Sequence, residues 1–261
     1  MRDLLNDIAE GLSHPDPIRR AQIQMKKPLP KRFYKTVTVG ELDEGFAIEL
    51  DGKAIRTPAR KLLVVATKRL AELLVREWDA QADLIDPSTM PVTRLVNTAI
   101  DGVVPDKQAV FEDILRFSSS DLICYRADAP QALVERQKEL WDPVLDWAGN
   151  FLGARFILIE GVMHRDQPRE AISAFSAALR RHDNATVLAA LHTITTLTGS
   201  ALLALAFAEG VLPAKKVWSL AHLDEDWTIE HWGSDEESEE RREKRFEDFN
   251  AAADVFLAMK G

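Results

Sequence analysis

Hydrophobic spacing changes period once along this chain, near Thr67, and that change limits the folds it can reach. Ahead of it the pattern alternates. In RFYKTVTV, residues 32–39, Val37 and Val39 alternate with Thr36 and Thr38; FAIEL follows at 46–50 and KAIRT at 53–57, with Asp51-Gly52 between them. Alternation is the strand pattern, because successive side chains point to opposite faces. An Asp-Gly pair between two such runs is a two-residue hairpin, since its turn needs positive φ at both central positions. KLLVVA at 61–66 reads as one more strand. The expectation is a small antiparallel sheet over 32–66, with an edge or face that needs cover.

After Thr67 the period is helical. Thr67 caps KRLAELLVREWDAQ, where Leu70, Leu74 and Trp78 form a stripe with Leu73 beside it. A proline-bearing connection, DPSTMPVTRLVNTAID, leads to a helix from about Pro105 to Phe117. Leu133, Leu140, Trp141, Val144, Trp147, Ala148, Phe151 and Leu152 continue the helical spacing, and Asp142-Pro143 either starts a second helix or kinks one long one. RFILIEG, residues 155–161, is a short strand candidate. Helices are expected at 168–181, 184–208, 213–220 and 235–259, the last with Phe246, Phe249, Ala253 and Phe256 on one face. The fold class is therefore α+β, a small antiparallel β-rich N-terminal domain followed by a larger, mostly helical one. The expected organisation is an N-terminal arm at 1–31, a β-rich domain with flanking helix at 32–100, and a helical domain at 101–261. Within the arm, Leu4, Leu5, Ile8 and Leu12 suit a short helix, and four prolines then break the pattern.

Composition excludes several function classes. With 261 residues, 46% of them hydrophobic, the chain can bury one large core or two modest ones. The net charge of -9 disfavours a phosphate-backbone binder. Of the local basic runs, Lys26, Lys27, Lys31 and Arg32 read as a charged linker, and Arg241, Arg242, Lys244 and Arg245 sit among acids. Cys124 is the one cysteine, so no intrachain disulfide or cysteine-based cluster can form, and a reducing compartment is the natural setting. MRDLLNDIAEGL carries early acids and lacks a secretory apolar core or an obvious transit peptide, which points to the cytoplasm. LTGSALLALAFA at 197–208 is too short to span a bilayer and reads as a buried helix, so no membrane insertion is expected.

No GxGxxG or Walker-type glycine loop occurs, so a nucleotide site would lack its usual anchor. Histidines stand at 14, 164, 182, 192, 222 and 231. His222 and His231 flank Asp224, Glu225 and Asp226 at no metal-ligand spacing, and a solvated acidic turn is the simpler reading. Cys124 lies in SSSDLICYRAD with no neighbouring histidine, which suits a buried small hydrophobe better than a nucleophile. Ser118, Ser119 and Ser120 with Asp121 suit a helix end and the next N-cap. The tail holds eight acids and four bases between Asp235 and Asp248. It reads as a charged helix face, with an acidic docking face as the functional alternative. Trp78 in EWDAQ fills the joint between sheet and helix or anchors a partner, with the structural role placed first.

KRFYKTVTV, the Asp-Gly hairpin with RTPARKLLVV, LAELLVREWDAQ, DLICYRADAP, ERQKELWDPVLDWA and LDEDWTIEHWG occur in an order and spacing that resembles the ATP12 family of ATP-synthase F1 assembly chaperones, over roughly residues 31–250. The resemblance implies a small β-containing domain and a helical one, no catalysis and no cofactor. It also implies a binding chaperone that holds the free F1 alpha subunit until the alpha/beta hexamer closes, monomeric when free. Eukaryotic relatives work in the mitochondrial matrix, and a bacterial member would work in the cytoplasm. Trp78 matches the family's tryptophan. Asp224, Glu225 and Asp226 match its acidic segment, which is richer in glutamate in the family, and Glu225 is the first choice for a client contact. The competing readings are an enzyme with an unrecognised pocket, hydrolase or transferase, and a permanent structural subunit of a complex.

Overall fold

A computed structural model describes residues 28–161 and 165–260. The short helix read at 1–12, most of the 1–31 arm, His14 and His164 lie outside the described residues. The rest divides into two compact units, one of residues up to Pro105 together with those from Leu257 onward, the other Asp106–Phe256.

The first unit is built on the alternating segment. Strands β1 (Val37–Leu42), β2 (Gly45–Leu50), β3 (Lys53–Ala54) and β4 (Val64–Val65) form one antiparallel sheet in which β2 pairs with all the others. Asp51 and Gly52, at φ 49° and 76°, make the two-residue turn between β2 and β3. The first strand begins at Val37 rather than Arg32, because the Asp51 carboxylate accepts from the Lys35 and Thr36 amides at 3.0 and 2.9 Å and turns the chain there. A second tight hairpin at Asp43-Glu44 has no Asp-Gly signal. It relies on Gly45 at φ 140°, where a Cβ would meet the Val65 carbonyl oxygen at 2.4 Å. Helix α1 (Lys68–Asp79) lies on β1 and β2 with Leu70, Ala71 and Leu74 buried, and the Thr67 hydroxyl caps it by accepting from the Leu70 amide. Helix α2 (Pro91–Thr98) follows and widens into a π-helical turn, Ala99–Val103.

The second unit is helical: α3 (Lys107–Ser119), α4 (Gln131–Trp147), α5 (Arg169–Leu179), α6 (Ala185–Thr198), α7 (Ala201–Ala208), α8 (Ala214–Ala221), α9 (Leu223–Trp232) and most of α10 (Glu236–Met259). The unit also holds a two-residue parallel pair, β5 (Tyr125–Arg126) with β6 (Ile159–Glu160). Every residue of α7 is buried, and α3, α4, α6 and α8 pack around it. A helix apolar on all sides can only sit at the centre.

Of the two alternatives at Asp142-Pro143, one long helix is what forms, since α4 runs through Pro143. Three details depart from the sequence expectations. The single helix expected at 184–208 is two, because Gly199 ends α6 in the left-handed region and Ser200 caps α7. Phe151 leaves the apolar stripe and is 79% exposed. There α4 gives way to a π-helical turn, Ala148–Leu152, whose extra residue per turn rotates the stripe away. The acidic turn expected at 224–226 is the start of α9.

Asp121 holds the centre of this unit. Its buried carboxylate accepts from Ser200 Oγ at 2.6 Å and from the Leu202 and Ile123 amides at 2.9 and 3.3 Å. It therefore satisfies donors at the N-terminus of α7, where no water can reach. Burial outweighs these bonds and pushes its pKa up to about 7. The folded carboxyl thus holds its proton more tightly than the unfolded one. Its contribution is complete below the unfolded value of 3.8 and declines as pH rises toward about 7. Asp121→Ala is expected to destabilise the protein by about 3 kcal/mol. In urea unfolding at a series of pH values, the gap between wild type and variant should be widest near about pH 4 and narrow toward about pH 7.

Candidate functional site

Trp78 lies in the first unit. Its ring packs with Tyr34, Leu50, Ile85 and Met90, edge-on to Tyr34 at 5.8 Å, and its carbonyl accepts from the Tyr34 hydroxyl at 2.6 Å. The indole Nε1 is buried without a hydrogen-bond partner among the described residues. Its neighbours in EWDAQ are equally committed. The Glu77 carboxylate accepts from the Val92 and Thr93 amides at 2.6 and 2.7 Å, capping α2 from another helix. Burial raises the Glu77 pKa against those bonds. Gln81 donates to the Glu77 carbonyl and Thr89 Oγ1 and accepts from the Asp86 amide at 2.7 Å. Arg32 lies over the Tyr34 ring at 4.6 Å and donates to the carbonyls of Asp79 and Gln81. EWDAQ is a packing joint. Sequence reasoning singled out Trp78 but missed Glu77 and Gln81, whose roles depend on residues at 86–93.

Asp224, Glu225 and Asp226 share the first turn of α9, in the second unit, where the helix dipole favours negative charge. The structure gives each a different partner. Asp224 accepts from Gln137 Nε2 at 2.7 Å, and buried Gln137 accepts from the Ala127 amide at 2.9 Å. Asp226 pairs with Arg242 on α10. Glu225, half-buried, lies 3.9 Å from His222 Nε2 and makes no shorter ion pair among the described residues. The buried His222 ring donates from Nδ1 to the Trp218 carbonyl at 2.9 Å, so its Nε2 faces Glu225. Burial pushes the His222 pKa down, which favours the neutral ring. Further along, Arg136 forks onto Glu230 at 2.6 and 2.8 Å and lies 5.9 Å over Trp227, which stacks on His231 at 4.2 Å. Trp232 ends the helix 75% exposed.

These contacts fix α9 to α4 and α10 and leave Glu225 as the least engaged of the three acids. The arrangement offers charge and aromatic surface. Burial drives the Cys124 thiol pKa far above its ordinary value, which removes it as a nucleophile. Among the described residues no group of three His, Cys, Asp or Glu side chains is placed to hold a metal, and no helix is long and apolar enough to cross a membrane.

Three comparisons bear on this geometry. A family model described as ATP12 chaperone protein matches residues 31–149. The protein atp12, mitochondrial, of Schizosaccharomyces pombe is 25% identical over 236 residues, 85% of this chain and 80% of the relative. Among solved structures, the Atu1473 protein, a chaperone candidate from Agrobacterium tumefaciens, is 66% identical with a TM-score of 0.88, covering 99% of this chain and 97% of that one. Atp12 from Paracoccus denitrificans is 35% identical with a TM-score of 0.82, covering 88% and 98%.

Trp78→Ala is expected to lower stability by about 2–4 kcal/mol, because it empties part of the Tyr34 cluster. Glu225→Gln, at a half-exposed position, should stay within about 0.5 kcal/mol of wild type. Thermal unfolding followed by circular dichroism distinguishes the two. Equal stability of Trp78→Ala and wild type would reassign Trp78 from packing to contact.

Proposed function

The chain belongs to the ATP12 family of chaperones, and on that premise we propose that it binds the unassembled alpha subunit of the ATP synthase F1 sector and promotes F1 assembly. The observation that carries the reading is the match over nearly the full length of a solved Atp12, at 35% identity. A free alpha subunit exposes surface made to meet beta subunits, and such apolar surface aggregates until it is covered. A chaperone that covers it reversibly is displaced by mass action once beta offers the larger total interface, with no hydrolysis required.

In this reading one monomer holds one alpha subunit, in the compartment where alpha is made, which for a bacterial chain is the cytoplasm. Glu225 is the acid that meets the client, and Asp224 and Asp226 set its helix in place through Gln137 and Arg242. Trp78 contributes by holding the first unit together.

Co-expression with the cognate alpha subunit, followed by size-exclusion chromatography with mass detection, is expected to give a one-to-one complex that dissociates when beta is added. Glu225→Gln should weaken the complex about fivefold, mainly through slower association and with reduced salt dependence. A folded chain that leaves alpha free would overturn the proposal, and Glu225→Gln binding like wild type would remove Glu225 from the contact.

A further inference from the structure

We propose that Trp232 and the carboxylates opening α10 form a docking face for a client segment carrying Arg or Lys beside apolar side chains. This rests on the chaperone reading above and names the surface and the chemistry through which the client is held.

The observation that starts the argument is a large aromatic side chain left in water. Trp232 is 75% exposed, although α9 is tied down along its length. Arg136 grips Glu230, and Gln137 and Arg242 grip Asp224 and Asp226, so the helix end that presents Trp232 is fixed in place. Trp227, His231 and Trp232 form an aromatic row, with ring separations of 4.2 and 5.7 Å. A tryptophan fixed on a rigid element gives large contact area at little entropic cost, which is why this residue type is favoured at binding hot spots.

Charge decides the occupant. After Gly233 and Ser234, exposed Asp235 leads into α10, whose first residues include Glu236, Glu237, Glu239 and Glu240, all exposed. The bases that follow do not neutralise them evenly. Arg242 turns to Asp226 on α9, and Arg245 donates to the Leu197 carbonyl at 2.8 Å. Arg241 alone reaches back, to Glu237 at 3.6 Å, and Glu236 and Glu240 pair with no base among the described residues. An exposed indole followed within eight residues by carboxylates that pair with no base among the described residues suits a cation carried on an apolar stem. The carboxylates draw it in, and the ring face receives it by cation–π contact. A neutral or acidic partner segment would leave these carboxylates uncompensated.

Phe151 provides the comparison. It is 79% exposed, lies in the same unit, and is followed by no acidic run. Affinity for the isolated alpha subunit would be measured by biolayer interferometry at two salt concentrations for wild type, Trp232→Ala, the double variant Glu236→Lys with Glu240→Lys, and Phe151→Ala. Each variant would first be checked by circular dichroism for an unchanged melt. Trp232→Ala is expected to weaken binding about 30-fold, mainly through faster dissociation. The double charge reversal should slow association about tenfold and flatten its salt dependence. Phe151→Ala should bind as wild type does.

If wild type holds alpha and Trp232→Ala holds it equally, this inference falls and the chaperone function stands. Equal losses in Trp232→Ala and Phe151→Ala would show general apolar adhesion and overturn it as well. A dimer of the free chain that Trp232→Ala converts to monomer would show that the face is occupied by a second copy. If wild type does not hold alpha at all, the function itself fails and the docking face fails with it.

Discussion

A carboxylate placed where water cannot reach sets the plan of the helical unit. Asp121 faces the first turn of α7, and its oxygens receive Ser200 Oγ and the Leu202 amide. A helix apolar on every side has few polar neighbours to satisfy its leading amides, and burial makes each unmade bond expensive. Ser200 Oγ accepts from the Leu203 amide, and the acceptor for the Leu202 amide comes from elsewhere in the chain. Because it comes from Asp121, the segment after α3 is tied to the helix that α3, α4, α6 and α8 surround. That bond joins the start of the unit to its centre across about eighty positions.

The β-containing unit uses the same device. Glu77 reaches from α1 to the first amides of α2, and burial raises its pKa there too. Both acids lie in segments of mixed sequence and each caps a helix it does not belong to. A negative net charge hides this division of labour. Some carboxylates, such as Asp121, Glu77, Asp224 and Asp226, hold the scaffold, and others, such as Glu236 and Glu240, stand in water.

What could be read from the sequence follows from the range over which each feature is decided. The Asp51-Gly52 hairpin and the Thr67 cap depend on a few adjacent residues, and both appear where the pattern places them. The central position of 201–208 follows from composition alone. The break at Gly199-Ser200 is masked because LTGSALLALAFA keeps its hydrophobicity through it, and the start of α7 is held by Asp121 lying behind Ser200. Phe151 was misplaced because a π-helical turn changes the period without changing the residue types. The acids at 224–226 were legible as a group through their family resemblance, but their separate roles were not. Gln137 and Arg242, which divide them, lie far away in sequence.

The division of roles bears on how a chaperone lets go. Tight capture through a broad apolar interface would compete with the assembly the chaperone serves, since the same contacts would have to be broken before beta could enter. A surface with one fixed aromatic anchor and free carboxylates around it behaves differently. Long-range attraction makes encounter fast, while the small anchored area keeps the complex short of the stability of a finished interface. Asp224 and Asp226, already satisfied by Gln137 and Arg242, fix the helix that carries Trp232. On the proposed docking face such preorganisation would supply affinity without enlarging the interface, and displacement by beta would need only a larger total interface.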